Sequence, residues 1–132
     1  MILVDTSALY SLASDLDPSH RRAVSLSAAI EKTGVEILVH TYVLCETFAL
    51  IHRRKGLAAA LRMDDFARAF VTVSVDRPLH DRAVERLRAG ARRRVSLVDA
   101  VSFEVMEERG IDAAFAFDPD FEEAGFRLYD GS

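Results

Sequence analysis

The sequence has 132 residues but only one cysteine, Cys45, and no long hydrophobic run. A single cysteine excludes an internal disulfide and every zinc site built from several cysteines, and it fits a reducing compartment. A membrane-spanning helix needs about 20 consecutive apolar residues, and no stretch reaches that length. Residues 1–5 also lack the basic start of a signal peptide. These absences predict a cytoplasmic protein that does not cross a membrane.

Lysine is scarce as well, with two residues against fifteen arginines, and the formal net charge is −4. An overall negative charge does not by itself indicate a polyanionic partner. The charges are segregated, however. Residues 77–94 contain seven arginines and two acids, whereas residues 99–132 contain ten acids and two arginines. A basic segment therefore stands directly before an acidic one.

Half of the residues are hydrophobic, which argues against intrinsic disorder, and the length predicts a single domain over residues 1–132. Short apolar runs predict strands at 2–4, 37–39, 71–75, 113–117 and 126–129. Amphipathic segments predict helices at 8–12, 19–32, 41–54, 57–70, 78–90 and 96–110, with Thr41 as the cap of the third. This order is typical of an α/β domain with a mostly parallel sheet and helices on both faces. An all-helical domain is the alternative, which the β-branched run at 71–75 disfavours.

Four acids stand out by their context. Asp5 and Asp118 follow predicted strands, and ligands of open parallel sheets bind at the carboxyl ends of the strands. Asp99 stands three residues after Ser96, which is the spacing of a capping box. Helix capping would explain each of these three acids separately. Glu46 lies too far along its helix to cap it, and its apolar neighbours predict that it faces inward, with a buried ion pair to an arginine as the alternative. The same apolar run predicts a packed thiol for Cys45.

Taken together, the four carboxylates predict an all-oxygen metal site. Such donors suit Mg²⁺ or Mn²⁺, and a bound cation would relieve the mutual repulsion of the clustered carboxylates. His20, His40 and His80 have no ligand spacing, so they are interpreted as structural. A divalent ion activates water and stabilises a phosphodiester transition state.

The order of these motifs resembles that of PIN-domain ribonucleases, specifically the VapC-like toxins of type II toxin–antitoxin systems. The resemblance covers essentially the whole chain and rests on four segments: Ile2-Leu3-Val4-Asp5-Thr6-Ser7-Ala8-Leu9, Val43-Leu44-Cys45-Glu46, Ser96-Leu97-Val98-Asp99-Ala100 and Ala116-Phe117-Asp118-Pro119-Asp120-Phe121. It implies a PIN-like three-layer sandwich, metal-dependent cleavage of RNA, a homodimer and a small antitoxin partner.

The resemblance also implies roles for individual acids. Asp5 and Asp99 match the best-defined metal ligands of the family, and Glu46 and Asp118 match the other two acids of its quartet. Asp120 matches a further acid of many members, with an exposed acid in a first helical turn as the alternative.

Three neighbouring features depart from the family pattern or have alternatives. The family often has threonine where this chain has Phe117, so no polar role is assigned to that side chain. Thr6 and Ser7 match a hydroxyl-bearing position that could orient Asp5 or touch a phosphate, with helix capping as the alternative. Arg92, Arg93 and Arg94 are candidates for contacts with the RNA backbone, with a solvated loop or an antitoxin contact as the alternatives.

Other function classes fit less well. Aspartyl-phosphate phosphatases need Asp-x-Asp after the first strand, and Asp5-Thr6-Ser7 does not provide it. A receiver-like signalling domain needs a lysine late in the chain, whereas the two lysines are Lys32 and Lys55. A catalytically inactive PIN fold that only binds RNA or protein stays open as the alternative.

Overall fold

Five short strands form a single parallel sheet in the computed structural model, which describes residues 1–90 and 95–132. The strands are β1 (Ile2–Val4), β2 (Ile37–His40), β3 (Val71–Val73), β4 (Ala113–Phe115) and β5 (Arg127–Leu128). Their order across the sheet is β3-β2-β1-β4-β5, and each neighbouring pair is parallel. The register places Leu3 beside Leu38 on one side and beside Ala114 on the other.

Seven helices connect or flank these strands in the described part of the chain. They are α1 (Thr6–Ala13), α2 (His20–Thr33), α3 (Thr41–Lys55), α4 (Leu57–Ala67), α5 (Arg77–Gly90), α6 (Leu97–Arg109) and α7 (Asp120–Glu123). Helix α2 ends at Gly34 and α6 at Gly110, both in the left-handed conformation that glycine adopts without strain. No helix among these residues is long and apolar enough to span a membrane.

Helices cover both faces of the sheet, because successive strand residues point to opposite sides. Ile2 and Val4 pack into a core with helices α1 to α4. Leu3 lies between them and packs into a second core with helices α5, α6 and α7. The result is a three-layer α/β sandwich, and the predicted fold class is confirmed.

The chain order creates a crevice at one edge of the sheet. From β1 the chain continues outward to β2 and β3, and it then returns to place β4 on the other side of β1. Chains leaving β1 and β4 therefore diverge to either side, and such a switch point is where ligands of open α/β sheets bind.

The ends of several elements differ from the sequence prediction. The strands at 71–75 and 113–117 are shorter than predicted. The short helix α7 was not among the predicted helices, although capping of a helix by Asp118 was an alternative there. The cap of α3 is His40 rather than Thr41: the His40 Nδ1 accepts a hydrogen bond from the Val43 N–H at 3.3 Å. The Thr41 hydroxyl instead accepts a hydrogen bond from the Val75 N–H at 3.0 Å, which ties α3 to the loop after β3.

Candidate metal centre

Four aspartates meet at the carboxyl edge of the sheet, beside the switch point. Asp5 directly follows β1, and Asp118 and Asp120 follow β4. Asp99 belongs to the first turn of α6, whose chain direction brings its N-terminus to the same edge. We call Asp5, Asp99, Asp118 and Asp120 the acidic cluster.

Asp5 is both a helix cap and a member of this cluster. It is 4% exposed, and one carboxylate oxygen accepts hydrogen bonds from the Ser7 N–H at 3.1 Å and the Ser7 hydroxyl at 2.7 Å. Burial raises the pKa of Asp5 above its ordinary value, and the negative charges of Asp118 and Glu46 add to this rise against the opposing effect of the Ser7 hydrogen bonds. A nearby cation would reverse this effect.

Asp99 combines the same two roles. Its carboxylate accepts a hydrogen bond from the Ser96 N–H, while the Ser96 hydroxyl accepts one from the Asp99 N–H, so the predicted capping box is present. Burial raises the pKa of Asp99 to about 7, and the charges of Asp5 and Asp118 contribute to the rise. Capping therefore does not exclude a functional role, because one carboxylate oxygen serves the helix while the charge remains in the cluster.

Asp99, Asp118 and Asp120 form the tightest part of the cluster. One carboxylate oxygen from each lies within 4.8 Å of the other two. Asp118 also accepts a hydrogen bond from the Asp120 N–H at 2.9 Å, which fixes the turn between the two residues. Asp120 does lie in the first turn of α7, but it is only 5% exposed, so the alternative of an exposed acid is wrong about its exposure. Phe121, its neighbour in α7, is fully buried and anchors this turn in the core.

Glu46 lies at the rim of the cluster and does not face inward as predicted. The buried side chains of α3 are Val43, Thr47 and Ile51, and Glu46 lies outside this stripe and is exposed. Its charge is nevertheless close enough to raise the pKa of Asp5. The prediction failed because the apolar neighbours of Glu46 in the sequence spread around the helix. The same reason explains Cys45, which is exposed rather than packed.

The hydroxyls after Asp5 have different partners. The Ser7 hydroxyl donates to Asp5 and accepts a hydrogen bond from the Phe117 N–H at 3.0 Å, so it orients Asp5 and connects it to the chain that carries Asp118. Thr6 is buried, and its hydroxyl accepts a hydrogen bond from the Thr47 hydroxyl at 3.1 Å. Thr6 thus joins α1 to α3, and its contact with a phosphate stays a prediction. The three candidate arginines, Arg92, Arg93 and Arg94, lie outside the described residues.

The donor set of the cluster fits a hard divalent cation. It consists of carboxylate oxygens, which Mg²⁺ and Mn²⁺ prefer, and three of them are spaced as ligands around one ion would be. Burial and neighbouring carboxylates raise the pKa values of Asp5 and Asp99, and a cation placed among these carboxylates would favour their charged forms. Asp5 lies outside the 4.8 Å set, but its charge is close enough to contribute to the raised pKa of Asp99.

Comparison with known proteins identifies the family. The PIN domain matches residues 2–127. The chain belongs to the PIN-domain family. It is 40% identical over 131 residues to VapC20 of Mycobacterium tuberculosis, which is described in two strains as a 23S rRNA-specific endonuclease, and the match covers 96% of this chain and 95% of the relative.

Comparison with solved structures agrees with this family assignment. The crystal structure of Mycobacterium tuberculosis VapC20, described as a Sarcin-Ricin loop cleaving toxin, matches with a TM-score of 0.88 and 34% identity, and covers 98% of each chain. The resemblance to PIN-domain proteins is thereby confirmed. This chain has Phe117 where the family often has threonine, so the side chain offers no hydroxyl. The backbone N–H of Phe117 nevertheless donates a hydrogen bond to the Ser7 hydroxyl. Sequence reasoning missed this contact because it involves the backbone of residue 117.

Proposed function

We propose that this protein is a metal-dependent endoribonuclease that acts as the toxin of a toxin–antitoxin pair. The observation that carries the proposal is the acidic cluster at the switch point of a PIN-domain sheet, with three carboxylates within 4.8 Å of one another. The domain responsible is the single PIN domain over residues 1–132. Asp5, Glu46, Asp99 and Asp118 carry the catalysis, and Asp120 assists in holding the metal.

Each acid has a distinct part in the proposed reaction. Asp5 and Asp99 hold Mg²⁺ or Mn²⁺ directly, with Ser7 and Ser96 orienting their carboxylates. When bound, the cation lowers the pKa of water and neutralises charge on the scissile phosphate. Glu46 is exposed at the rim, where its carboxylate can orient the attacking water and accept its proton. Asp118 would bind the same metal ion through a water molecule, or it would be a ligand of a second ion.

The substrate we propose is ribosomal RNA. The relatives at 40% identity are named for cleavage of 23S rRNA, and the matching crystal structure is named for cleavage of the sarcin–ricin loop. That fold match extends over 98% of this chain. We therefore propose the sarcin–ricin loop of 23S rRNA as the target, in the cytoplasm, with Arg92, Arg93 and Arg94 contacting the RNA backbone.

The proposed protein partner is a small antitoxin. Ten acids against two arginines over residues 99–132 make this part of the chain strongly negative. We propose that a basic side chain of the antitoxin enters the acidic cluster and replaces the charge of the metal, which would block cleavage. A homodimer is the oligomeric state we expect for the toxin.

The decisive experiment is cleavage of a sarcin–ricin loop hairpin by the purified protein, with a hairpin of scrambled loop sequence beside it. We expect a single cut with Mg²⁺ or Mn²⁺, none in EDTA, and none with Asp5→Asn or Asp99→Asn. Asp112→Asn is the matched control, because Asp112 is an exposed aspartate just before β4, at the opposite edge of the sheet. Cleavage that persists in EDTA or in Asp99→Asn contradicts the mechanism. RNA binding without cleavage by the wild-type protein would favour the inactive binding module.

A further inference from the structure

A buried histidine connects two of the helices that carry the acids. His40 is the last residue of β2 and is fully buried, although the chemistry proposed above does not use it. Its two ring nitrogens have partners on different helices: Nδ1 lies 3.3 Å from the Val43 N of α3, and Nε2 lies 2.8 Å from the Ser102 Oγ of α6.

The hydrogen-bond partners determine the tautomer of His40. Since Nδ1 accepts the Val43 N–H, the neutral ring carries its proton on Nε2 and donates it to the Ser102 hydroxyl. That hydroxyl in turn donates to the Val98 carbonyl oxygen at 3.2 Å. The donor and the acceptor of each of these hydrogen bonds are therefore fixed. The series of hydrogen bonds runs from the start of α3 through His40 and Ser102 to the first turn of α6. Burial lowers the pKa of His40 to about 4, which keeps the ring neutral near pH 7.

The last acceptor in this series of hydrogen bonds, Val98, lies next to a proposed metal ligand. Val98 directly precedes Asp99, whose charge is repelled by Asp5 and Asp118. The capping box with Ser96 holds the Asp99 carboxylate relative to its own helix only. The contact from His40 through Ser102 instead holds the first turn of α6 relative to the sheet and to α3. At the other end of the same region, the Thr47–Thr6 hydrogen bond joins α3 to α1, which Asp5 caps.

We propose that His40 is a positioning residue of the metal centre, which uses Ser102 to hold the Asp99 turn of α6 against β2 and the start of α3. This inference rests on the metal site of the proposed function, but it concerns the affinity of that site rather than RNA cleavage. Groups that orient metal ligands from outside typically change metal affinity 10- to 100-fold when they are removed.

The two nitrogens of His40 can be tested separately. His40→Asn keeps an acceptor near the Nδ1 position for the Val43 N–H but is too short to reach Ser102. His40→Gln places an amide N–H near the Nε2 position and can restore the bond to Ser102. Ser102→Ala removes the same bond from the other side while leaving the cap of α3 in place. Val105→Ala is the control for general loss of stability, because Val105 is buried in α6 and lies outside these hydrogen bonds.

The readout is the Mn²⁺ dissociation constant from isothermal titration calorimetry, for variants whose folding is first checked by circular dichroism and thermal unfolding. We expect His40→Asn and Ser102→Ala to raise the dissociation constant about 10-fold. We expect His40→Gln and Val105→Ala to stay within about twofold of the wild type, since neither breaks the connection to α6.

Several results would overturn the inference. These are wild-type affinity in both His40→Asn and Ser102→Ala, an equal loss in Val105→Ala, and failure of His40→Gln to bind better than His40→Asn. A wild-type protein that binds Mn²⁺ but cleaves no RNA would refute the proposed function and leave this inference intact. A wild-type protein that binds no Mn²⁺ would refute both.

Discussion

Asp99 stabilises its helix and destabilises its surroundings at the same time. As the third residue of α6 it completes the capping box, yet burial and two neighbouring aspartates raise its pKa to about 7. Because the folded state holds the Asp99 proton more tightly than the unfolded state, this residue reduces stability as the pH rises from about 4 to 7. The carboxylates of the acidic cluster thus lower the free energy of unfolding, and the same negative charges attract a cation.

Replacing Asp99 by asparagine should therefore stabilise the metal-free protein. Asparagine keeps an oxygen for the Ser96 N–H but removes the charge. In EDTA at pH 8 we expect the free energy of unfolding to rise by roughly 1–3 kcal/mol, given about 1.4 kcal/mol per pKa unit and partial screening by solvent. The gain should shrink towards pH 4, where Asp99 is protonated in the wild-type protein. Urea unfolding measures it, and a variant no more stable than the wild type at pH 8 would refute this account.

The buried imidazole of His40 predicts a pH dependence of the opposite sign. Its pKa is about 4 in the folded protein and about 6.5 in the unfolded chain, so the unfolded state binds more protons between these values. The contribution of His40 to stability is complete above pH 7 and is lost as the pH falls towards 4, by about 3 kcal/mol in total.

The measurement is the difference in unfolding free energy between the wild type and His40→Gln, taken from pH 8 to pH 4. This difference cancels the contributions of the aspartates, which both proteins share. As the pH falls from 8 to 4, the wild type should lose more unfolding free energy than His40→Gln does. A difference that stays constant over the whole range would show that His40 is not buried as a neutral ring.

At the scale of elements, Arg86 connects α5 to α6 by charge and by ring contact. The Arg86 guanidinium bonds to Glu104 at 2.8 Å and to Glu107 at 2.6 Å, and it lies over the Phe103 ring with 5.7 Å to the ring centroid. Arg86 is 27% exposed and Glu104 is 17% exposed, so this ion pair is better shielded than an ordinary surface pair. By contrast, the Arg88–Glu85 pair within α5 is about 70% exposed on both sides.

Arg86→Met should therefore destabilise the protein more than Arg88→Met. Methionine keeps an apolar stem near Phe103 but leaves Glu104 without its closest cation, for which we expect a loss of about 1–2 kcal/mol. Arg88→Met should change stability by less than about 0.5 kcal/mol, as exposed pairs do. Urea unfolding of both variants at low salt tests this. Equal effects of the two substitutions would contradict the role given to Arg86.

The helices and strands also show which parts of the fold could be predicted from the sequence. The order of strands and helices followed from runs of apolar residues and from helix-ending glycines, because these depend on local physics. The short helix α7 and the cap of α3 did not follow, since α7 is held by the buried Phe121 and the cap is a histidine fixed by α6. Glu46 and Cys45 were placed incorrectly because a helix with apolar residues on several sides does not reveal its buried face. Context in the sequence pointed to Asp5, Glu46, Asp99 and Asp118 as candidates, and family resemblance added Asp120. Which of these carboxylates lie close together depends on the fold and could not be read from the sequence.

At the scale of the whole molecule, the sheet order brings together acids that are far apart in sequence. Asp5, Asp99 and Asp118 meet because β1 lies between β2 and β4 and because α6 runs back to the carboxyl edge. A cation bound there would contact elements from both ends of the chain. Since the unfolded chain cannot assemble such a site, binding of the metal must stabilise the entire fold.

Thermal unfolding should therefore respond to Mn²⁺ in a way that depends on the cluster. At a concentration of about 100 times the dissociation constant, binding contributes about 2.7 kcal/mol, which raises the midpoint of a domain of this size by roughly 10 °C. The shift should be larger at pH 8 than at pH 6, because Mn²⁺ competes with the proton on Asp99, whose pKa is about 7. Asp5→Asn and Asp99→Asn should abolish most of it, and Asp112→Asn should leave it unchanged. Equal midpoints of the wild type in Mn²⁺ and EDTA, or an equal loss in Asp112→Asn, would rule out a metal site at the acidic cluster.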